Sequence, residues 1–354
     1  MTAYIIRRLL MLPVILFGVS LLIFGMLQIL GPNERAALYV RDIPRNEQQL
    51  ESIIRRYGLD DPLPKQYINW MLGRIDPETG DRVGGILRGD LGFSRTGREP
   101  VIELMKRRLP VTMELAIWSV LPIVGIGIWL GIQAALNHNR PIDQAARVFS
   151  VLGYSFPTFV FGLLMLLIFY AKLGWFPPGR LSDWALSVVR ASDWRVITHM
   201  YSFDSLLNGR FDIFVDSLRH LVLPIITLSY LSWALMLKVT RSSMLEQLRQ
   251  DFVMTARSKG LSERMVVNRH VRPNAMIPVI TVAGATIASL LNGVVITETI
   301  FNIPGLGSAA VAAASSLDAL TVLGFALFNG VLFVVTYLVV DILYALIDPR
   351  VRLG

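Results

Sequence analysis

The chain has 354 residues, of which 53% are hydrophobic and only 17% charged, well below the roughly 25% of an ordinary soluble domain. It contains no cysteine, which excludes disulfides, thiolate metal sites and cysteine nucleophiles. The net charge is +8, but the lysines and arginines fall between long apolar runs. That distribution suits orienting a chain in a bilayer better than forming a nucleic-acid surface, and no nucleic-acid partner is expected.

Residues 1–8, with Arg7 and Arg8, precede an uncharged run over 9–30. The run is too long for the apolar region of a signal peptide, and Leu30-Gly31-Pro32 is not an Ala-x-Ala cleavage site, so it is expected to be a retained first span. Residues 31–110 mix both charges with several prolines and glycines and read as a lobe in water. Within it a short helix is expected over 47–57, ending at Gly58 with Pro62 beyond. Further apolar runs cover 111–136 and 148–170, followed by a second watery segment, 171–219, that carries Trp175, Trp184 and Trp194. Tryptophan there suits the membrane interface. The remaining runs are 221–237, 275–297 and 319–340, separated by 238–274 and 298–318, and the chain closes with 341–354.

A bilayer core takes about 20 apolar residues as a helix, and backbone groups find no water there, so each run is expected to be helical. The fold class is therefore an all-α integral membrane protein, a polytopic bundle of six helices with an external lobe between the first and second. Pro122, Pro157, Pro224, Pro278, Gly284 and Gly293 fall within the runs and point to kinks and close packing. Residues 238–272 hold Lys238, Arg241, Arg249, Arg257, Lys259, Arg264, Arg269 and Arg272, whereas 302–318 holds no lysine or arginine. The positive-inside rule then places 238–274 in the cytoplasm and 298–318 outside. Both termini fall in the cytoplasm on this count, in agreement with Arg7, Arg8, Arg350 and Arg352.

Several chemistries are missing. The sequence has no Gly-x-x-x-x-Gly-Lys-[Ser/Thr] loop for nucleotide phosphates, so the chain is not expected to hydrolyse ATP alone. His138, His199, His220 and His270 are scattered and no His-Glu-x-x-His is present, so no metal is expected. Glu114, Glu298 and Asp341 lie near span ends, where interfacial or packing roles suit them better than proton relay. A proton- or sodium-driven carrier ordinarily holds charges deep in its spans. The pattern describes a pathway without an energy source of its own.

The segment between the fourth and fifth runs reads Asp251-Phe-Val-Met-Thr-Ala-Arg-Ser-Lys-Gly-Leu-Ser-Glu-Arg-Met-Val-Val-Asn-Arg-His270. Asp251 is expected to cap a short helix running to Lys259, which Gly260 ends in a left-handed conformation. Phe252, Val253 and Ala256 share a face at helical spacing, and such a stripe suits a groove on another protein. A basic loop lying on anionic lipid is the alternative from pattern alone.

This segment resembles the coupling-loop signature, the EAA motif, of ABC importer permeases. Thr255-Ala-Arg-Ser-Lys-Gly-Leu-Ser-Glu-Arg264 is similar, more narrowly, to the dipeptide/oligopeptide/nickel family and to its B-type peptide permeases. The likeness spans nearly the whole chain: Ile6-Arg-Arg-Leu9, Tyr57-Gly-Leu-Asp-Asp-Pro-Leu-Pro-Lys-Gln-Tyr67, Gly89-Asp-Leu-Gly-Phe-Ser94, His220-Leu-Val-Leu-Pro224, Glu298-Thr-Ile-Phe-Asn-Ile-Pro-Gly-Leu-Gly307 and Asp341-Ile-Leu-Tyr-Ala-Leu-Ile-Asp-Pro-Arg350. The chain departs from the general motif at Met254, which stands where a glutamate is nominal, and at His270 and Arg272, which replace apolar residues.

The resemblance implies a transport subunit of the cell membrane that pairs with a second homologous permease. Two cytoplasmic ATPases would bind the coupling loops and use ATP and Mg, none of it held by this chain. An external solute-binding protein would deliver a peptide. A nickel chelate, glutathione or an oligosaccharide is the alternative cargo, and a secondary carrier or a membrane scaffold the alternative class. The residues assigned to ATPase coupling are Asp251, Phe252, Thr255, Ala256, Arg257, Lys259, Gly260 and Leu261. Those assigned to the external gate and pathway are Glu298, Phe301, Pro304, Gly305 and Gly307.

Overall fold

The computed structural model describes residues 2–38, 47–75, 80–291 and 294–347. Its helices follow in order: α1 Thr2–Gln28, α2 Pro32–Leu38, α3 Glu47–Tyr57 and α4 Leu63–Leu72, then two small antiparallel hairpins, β1 Arg74–Ile75 with β2 Arg82–Val83 and β3 Phe93–Ser94 with β4 Glu99–Pro100. After these come α5 Val101–Leu136, α6 Pro141–Ser155, α7 Thr158–Met165 with a π-helical extension Leu166–Lys172, α8 Asp183–Val189, α9 Tyr201–Leu207 and α10 Phe211–Leu248. The remainder is α11 Asp251–Ser258, α12 Glu263–Met265, a π-helical turn Val266–Val271, α13 Arg272–Leu291, α14 Val295–Ile300, α15 Leu306–Ser315 and α16 Ala319–Ile347. The chain is an all-α integral membrane protein.

Among the described residues, four stretches are long and apolar enough to cross a bilayer: Leu9–Gln28, Val101–Leu136, Phe211–Leu248 and Ala319–Val339. The run expected as one helix over 148–170 is instead a bent pair, α6 and α7, with an angle of 104° between its arms. Pro157 is the cause. It cannot donate a backbone hydrogen bond and it forces the preceding residue out of the helical region; Phe156 accordingly has φ −92° and ψ 123°. Tyr230 of α10 donates its hydroxyl to the Phe156 carbonyl and stacks on Phe161 with ring centroids 4.1 Å apart, so the bend is held from both sides. The run expected over 275–297 is likewise not one helix: Val294, at φ −110° and ψ 60°, leaves the helical conformation before α14 begins at Val295. Gly293, residues 348–350 of the tail motif and Arg352 lie outside the described residues, as does the Asp341 side chain.

Other bounds shift as well. The helix expected over 47–57 is α3, with Gly58 beyond it at φ 58°. Helix α5 begins ten residues before the expected span, and α10 continues to Leu248, well into the segment assigned to the coupling loop. Neither extension contains a glycine, and α5 runs through Pro110 without ending there.

The chain divides into two units. One holds Pro110–Ile303 and the residues from Thr336; the other holds Ile5–Leu109 and Pro304–Val335. In the first, α10 is the central helix, packed by α13, α6, α9 and α7. Its approach to α5 is close because the facing residues are small: a Cβ on Gly127 would lie 2.4 Å from Met236 Cβ, and one on Gly131 would lie 2.5 Å from Thr240 Cβ. Small residues let helix backbones approach where lipid supplies no hydrophobic drive between helices.

In the second unit, Val101, Leu104, Met105, Leu306, Ala309 and Phe325 form a core. Ser94, fully buried, and the Thr96 amide both donate to Asp318 Oδ2, at 3.1 and 3.0 Å. Asp318 also accepts from the Thr321 hydroxyl at 2.7 Å, capping α16. Burial alone would push the Asp318 carboxyl up, but the bonds from Thr96, Thr321 and Ser94 outweigh it and hold it below the usual range. The Gly89–Ser94 motif is thus a clasp on the start of the last helix.

Candidate functional site: the loop helix and the 298–307 segment

Helix α11 starts at Asp251, whose carboxylate stands in the first turn where it complements the helix dipole. The expected cap is corrected: the preceding Gln250 occupies the capping position, with no side-chain bond to the helix, and Asp251 is the first helical residue. The helix ends at Ser258, Lys259 follows as its C-cap, and Gly260 takes φ 78°. Glycine adopts that backbone without penalty, whereas another residue bears roughly 1–2 kcal/mol.

The apolar stripe is also corrected. Val253 and Ala256 are buried, but within this chain. They pack with Ile132, Ala135, Met244, Val266, Val267 and Val271, and Leu261 closes the cluster from beyond the turn. The face is therefore used to fix α11 to α5, α10 and the turn before α13. What the helix leaves outward is Phe252 (39% exposed) and Met254 (62%), together with exposed Asp251, Thr255, Arg257 and Lys259; Met265 of α12 is also exposed. Phe252 and Met254 are two residues apart, so they flank the buried face on either side of a helix that the cluster holds in place.

A clamp missed by the sequence reading closes the turn. Arg257 donates from Nε and Nη2 to the two Glu263 oxygens at 2.7 and 3.2 Å. The two-pronged bond from Arg257 holds the Glu263 carboxyl below the usual glutamate range. Its contribution is complete above the ordinary glutamate range and is lost as pH falls through the lowered value. The only signal in the sequence was an Arg and a Glu six residues apart on either side of a glycine.

A second missed anchor lies at the same end of the unit. Asp143, fully buried, accepts from Arg241 Nε at 2.5 Å and Nη2 at 3.0 Å, and from the Asn139 amide at 3.0 Å. It ties the start of α6 to the last turns of α10, from which α11 hangs.

At the opposite end of α10, the segment from 298 is largely enclosed. Glu298 is fully buried and accepts from the Thr112 hydroxyl at 2.6 Å. Phe301 is 1% exposed and packs with Val111, Leu115, Leu221, Leu223 and Ile303, so the His220–Pro224 motif is the seat of this segment. The Phe301 carbonyl accepts from the Gly179 amide at 2.8 Å. In the second unit, Pro304 is exposed and its carbonyl accepts from Arg108 Nη1 at 2.9 Å; Gly305 precedes α15 as its N-cap, and Gly307 is buried in the first turn. Of the five residues expected at a gate, Pro304 alone is exposed; Glu298 and Phe301 serve packing in this chain.

Close by, Glu114 accepts from Arg180 Nη2 at 2.7 Å, the Ser202 amide at 2.6 Å and the Ser202 hydroxyl at 2.7 Å. Arg180 lies 3.9 Å from the centroid of the Tyr201 ring, a cation–π contact. Glu114 is thus a packing residue that fastens the 171–219 segment to α5. In that segment Trp175 and Trp184 are about half exposed, while Trp194 joins the core around Leu181, Ala185 and Ile213.

Long apolar helices joined by a loop helix that is fixed to the bundle define a polytopic membrane protein. The family described as "Binding-protein-dependent transport system inner membrane component" matches residues 125–353, and its N-terminal counterpart matches residues 1–116. The chain belongs to this family. It is 37% identical over 345 residues to the probable D,D-dipeptide transport system permease protein DdpB of Escherichia coli K12, covering 97% of this chain and 95% of that one. It is 36% identical to the di/tripeptide transport system permease protein DppB of Pseudomonas aeruginosa, over 99% of both chains. It is 35% identical to the oligopeptide transport system permease protein AppB of Bacillus subtilis, over 99% of this chain and all of that one.

Proposed function

We propose that this chain is the permease subunit of an ATP-driven importer for short peptides and forms half of the pathway with a second, related permease. Two cytoplasmic ATPases dock on the 251–261 loops of the pair, and an external binding protein delivers the peptide. The observation that carries this reading is the loop helix: Val253 and Ala256 fix it to the bundle while Phe252 and Met254 are exposed. A lever held by the buried cluster, with exposed apolar side chains on either flank, passes a partner's motion to α5, α10 and α13. ATP shifts such a machine only through unequal affinity for its two states. Full-length similarity to proteins named for di-, tri- and oligopeptides supports the cargo class. The direct test is ATP turnover. The purified chain alone is expected to show none, and the chain assembled with its ATPases is expected to turn over ATP faster when peptide-loaded binding protein is added. Turnover by the chain alone, after contaminating ATPases are removed, would refute the reading.

The same proposal sets six crossings, with α13 and α14 together making the fifth, and both termini in the cytoplasm. The chain has no native cysteine, so single introduced cysteines report sidedness cleanly. An impermeant thiol reagent applied to intact cells is expected to label Arg190→Cys and to leave Ser262→Cys unlabelled. The reverse pattern would invert the topology.

A further inference from the structure

The second unit contains a cavity of about 400 Å³ to which neither the coupling loop nor the 298–307 segment contributes. Its floor and walls are apolar: Phe24 and Leu27 from the last turns of α1, and Leu323 and Leu327 from the first turns of α16. Both stretches belong to bilayer-spanning lengths, Leu9–Gln28 and Ala319–Val339. The cavity therefore sits where two spans end, at a boundary between hydrocarbon and headgroups. Its other side is polar and cationic. Arg35, Arg56 and Arg74 line it, against one carboxylate, Asp90.

Arg35 is the informative residue. It is only 7% exposed, and its guanidinium is held by neutral oxygens, with Nη1 donating to Gln66 Oε1 at 2.6 Å and Nη2 to the Leu59 carbonyl at 3.0 Å. Its buried Nε has no partner, and neither does the buried Nη1 of Arg74. Among the described residues no carboxylate lies within ion-pair distance of Arg35. Buried charges are ordinarily paired, and guanidinium groups match phosphate oxygens with two parallel donors.

We propose that this cavity binds an anionic phospholipid. The phosphodiester sits against Arg35 and Arg74, and an acyl chain runs along Phe24, Leu27, Leu323 and Leu327 into the bilayer. The apolar half of the cavity, lined by Phe24, Leu27, Leu323 and Leu327, selects lipid over a free anion of the same chemistry. Bound there, the lipid ties the small helices α2–α4 and the first hairpin to the ends of α1 and α16.

Native mass spectrometry of the full chain in mild detergent tests this, with phosphatidylglycerol, phosphatidylcholine, inorganic phosphate and a dipeptide as separate probes. Phosphatidylglycerol is expected to be retained in preference to phosphatidylcholine. Loss of one charge-assisted contact is expected to weaken that retention by about tenfold in Arg35→Gln. Arg74→Gln, whose guanidinium lies beside Gly58 and the Asp61 carboxylate, is expected to weaken it in the same direction, and Leu323→Trp is expected to block it by filling the apolar end. Equal retention of both lipids, retention unchanged in Arg74→Gln and Leu323→Trp, or binding of inorganic phosphate or dipeptide in place of lipid would each overturn the proposal.

Discussion

Gly260→Arg is expected to abolish most transport while leaving the protein inserted and folded. Gly260 stands at φ 78° after the last turn of α11, where a side chain brings a conformational cost of about 1–2 kcal/mol. No atom lies within 4 Å of the Cβ that would be added, so no clash compounds that cost. The membrane-embedded helices are untouched by a strain of this size in a loop. The arginine must instead project into the open space around the turn, next to exposed Lys259. If the turn is closely covered by an ATPase, an unpaired buried charge there costs several kcal/mol, enough to reduce assembly more than tenfold. Peptide uptake and co-purification of the ATPases are the measurements, with Arg190→Ala as a control away from the loop. Normal uptake with normal recovery of the ATPases would remove the loop from the mechanism.

Glu114→Ala is expected to destabilise the chain by about 3–5 kcal/mol, the usual consequence of removing one partner from a buried ion pair. The carboxylate is 2% exposed and receives three hydrogen bonds. Its loss strands the Arg180 guanidinium, whose side chain is only 13% exposed, along with the Ser202 amide and hydroxyl. Because Ser202 also receives the Trp118 indole at 2.9 Å, the damage spreads into the contact between α5 and α9. Glu114→Gln keeps an acceptor for Ser202 and is expected to lose less. Denaturant unfolding in detergent, followed by tryptophan fluorescence, separates the two variants. A loss below about 1 kcal/mol for Glu114→Ala would mean that the cluster is not what holds the 171–219 segment.

These two sites differ in how far the sequence disclosed them. The turn at Gly260 was legible because its signals are local: a short amphipathic stretch, a glycine at the right offset and a basic last turn. The same local reading put Asp251 one place out, since the capping position and the first helical position both favour aspartate. It also misassigned the buried stripe. Periodicity shows that Val253 and Ala256 share a face but not what covers that face, and here the chain covers it itself. Glu114 and Arg180 are 66 residues apart, and nothing local links them. The apolar runs were legible as membrane helices because composition alone decides that question. The bend at Pro157 was half-visible: proline predicts a break but not an angle of 104°, which is set by α10 packing against both arms. The break at Val294 falls one residue after Gly293, which marked a kink in the sequence but not its form.

The central claim is that this chain forms a peptide pathway powered from outside itself. The measurement that meets it most directly is accumulation of a labelled dipeptide in proteoliposomes containing the chain, its partner permease and the two ATPases, with binding protein on the delivery side. Accumulation against a gradient is expected only when both ATP and binding protein are present, unaffected by collapse of the proton and sodium gradients and lost in Gly260→Arg. Accumulation by the chain without ATP, driven by a proton or sodium gradient, would contradict it.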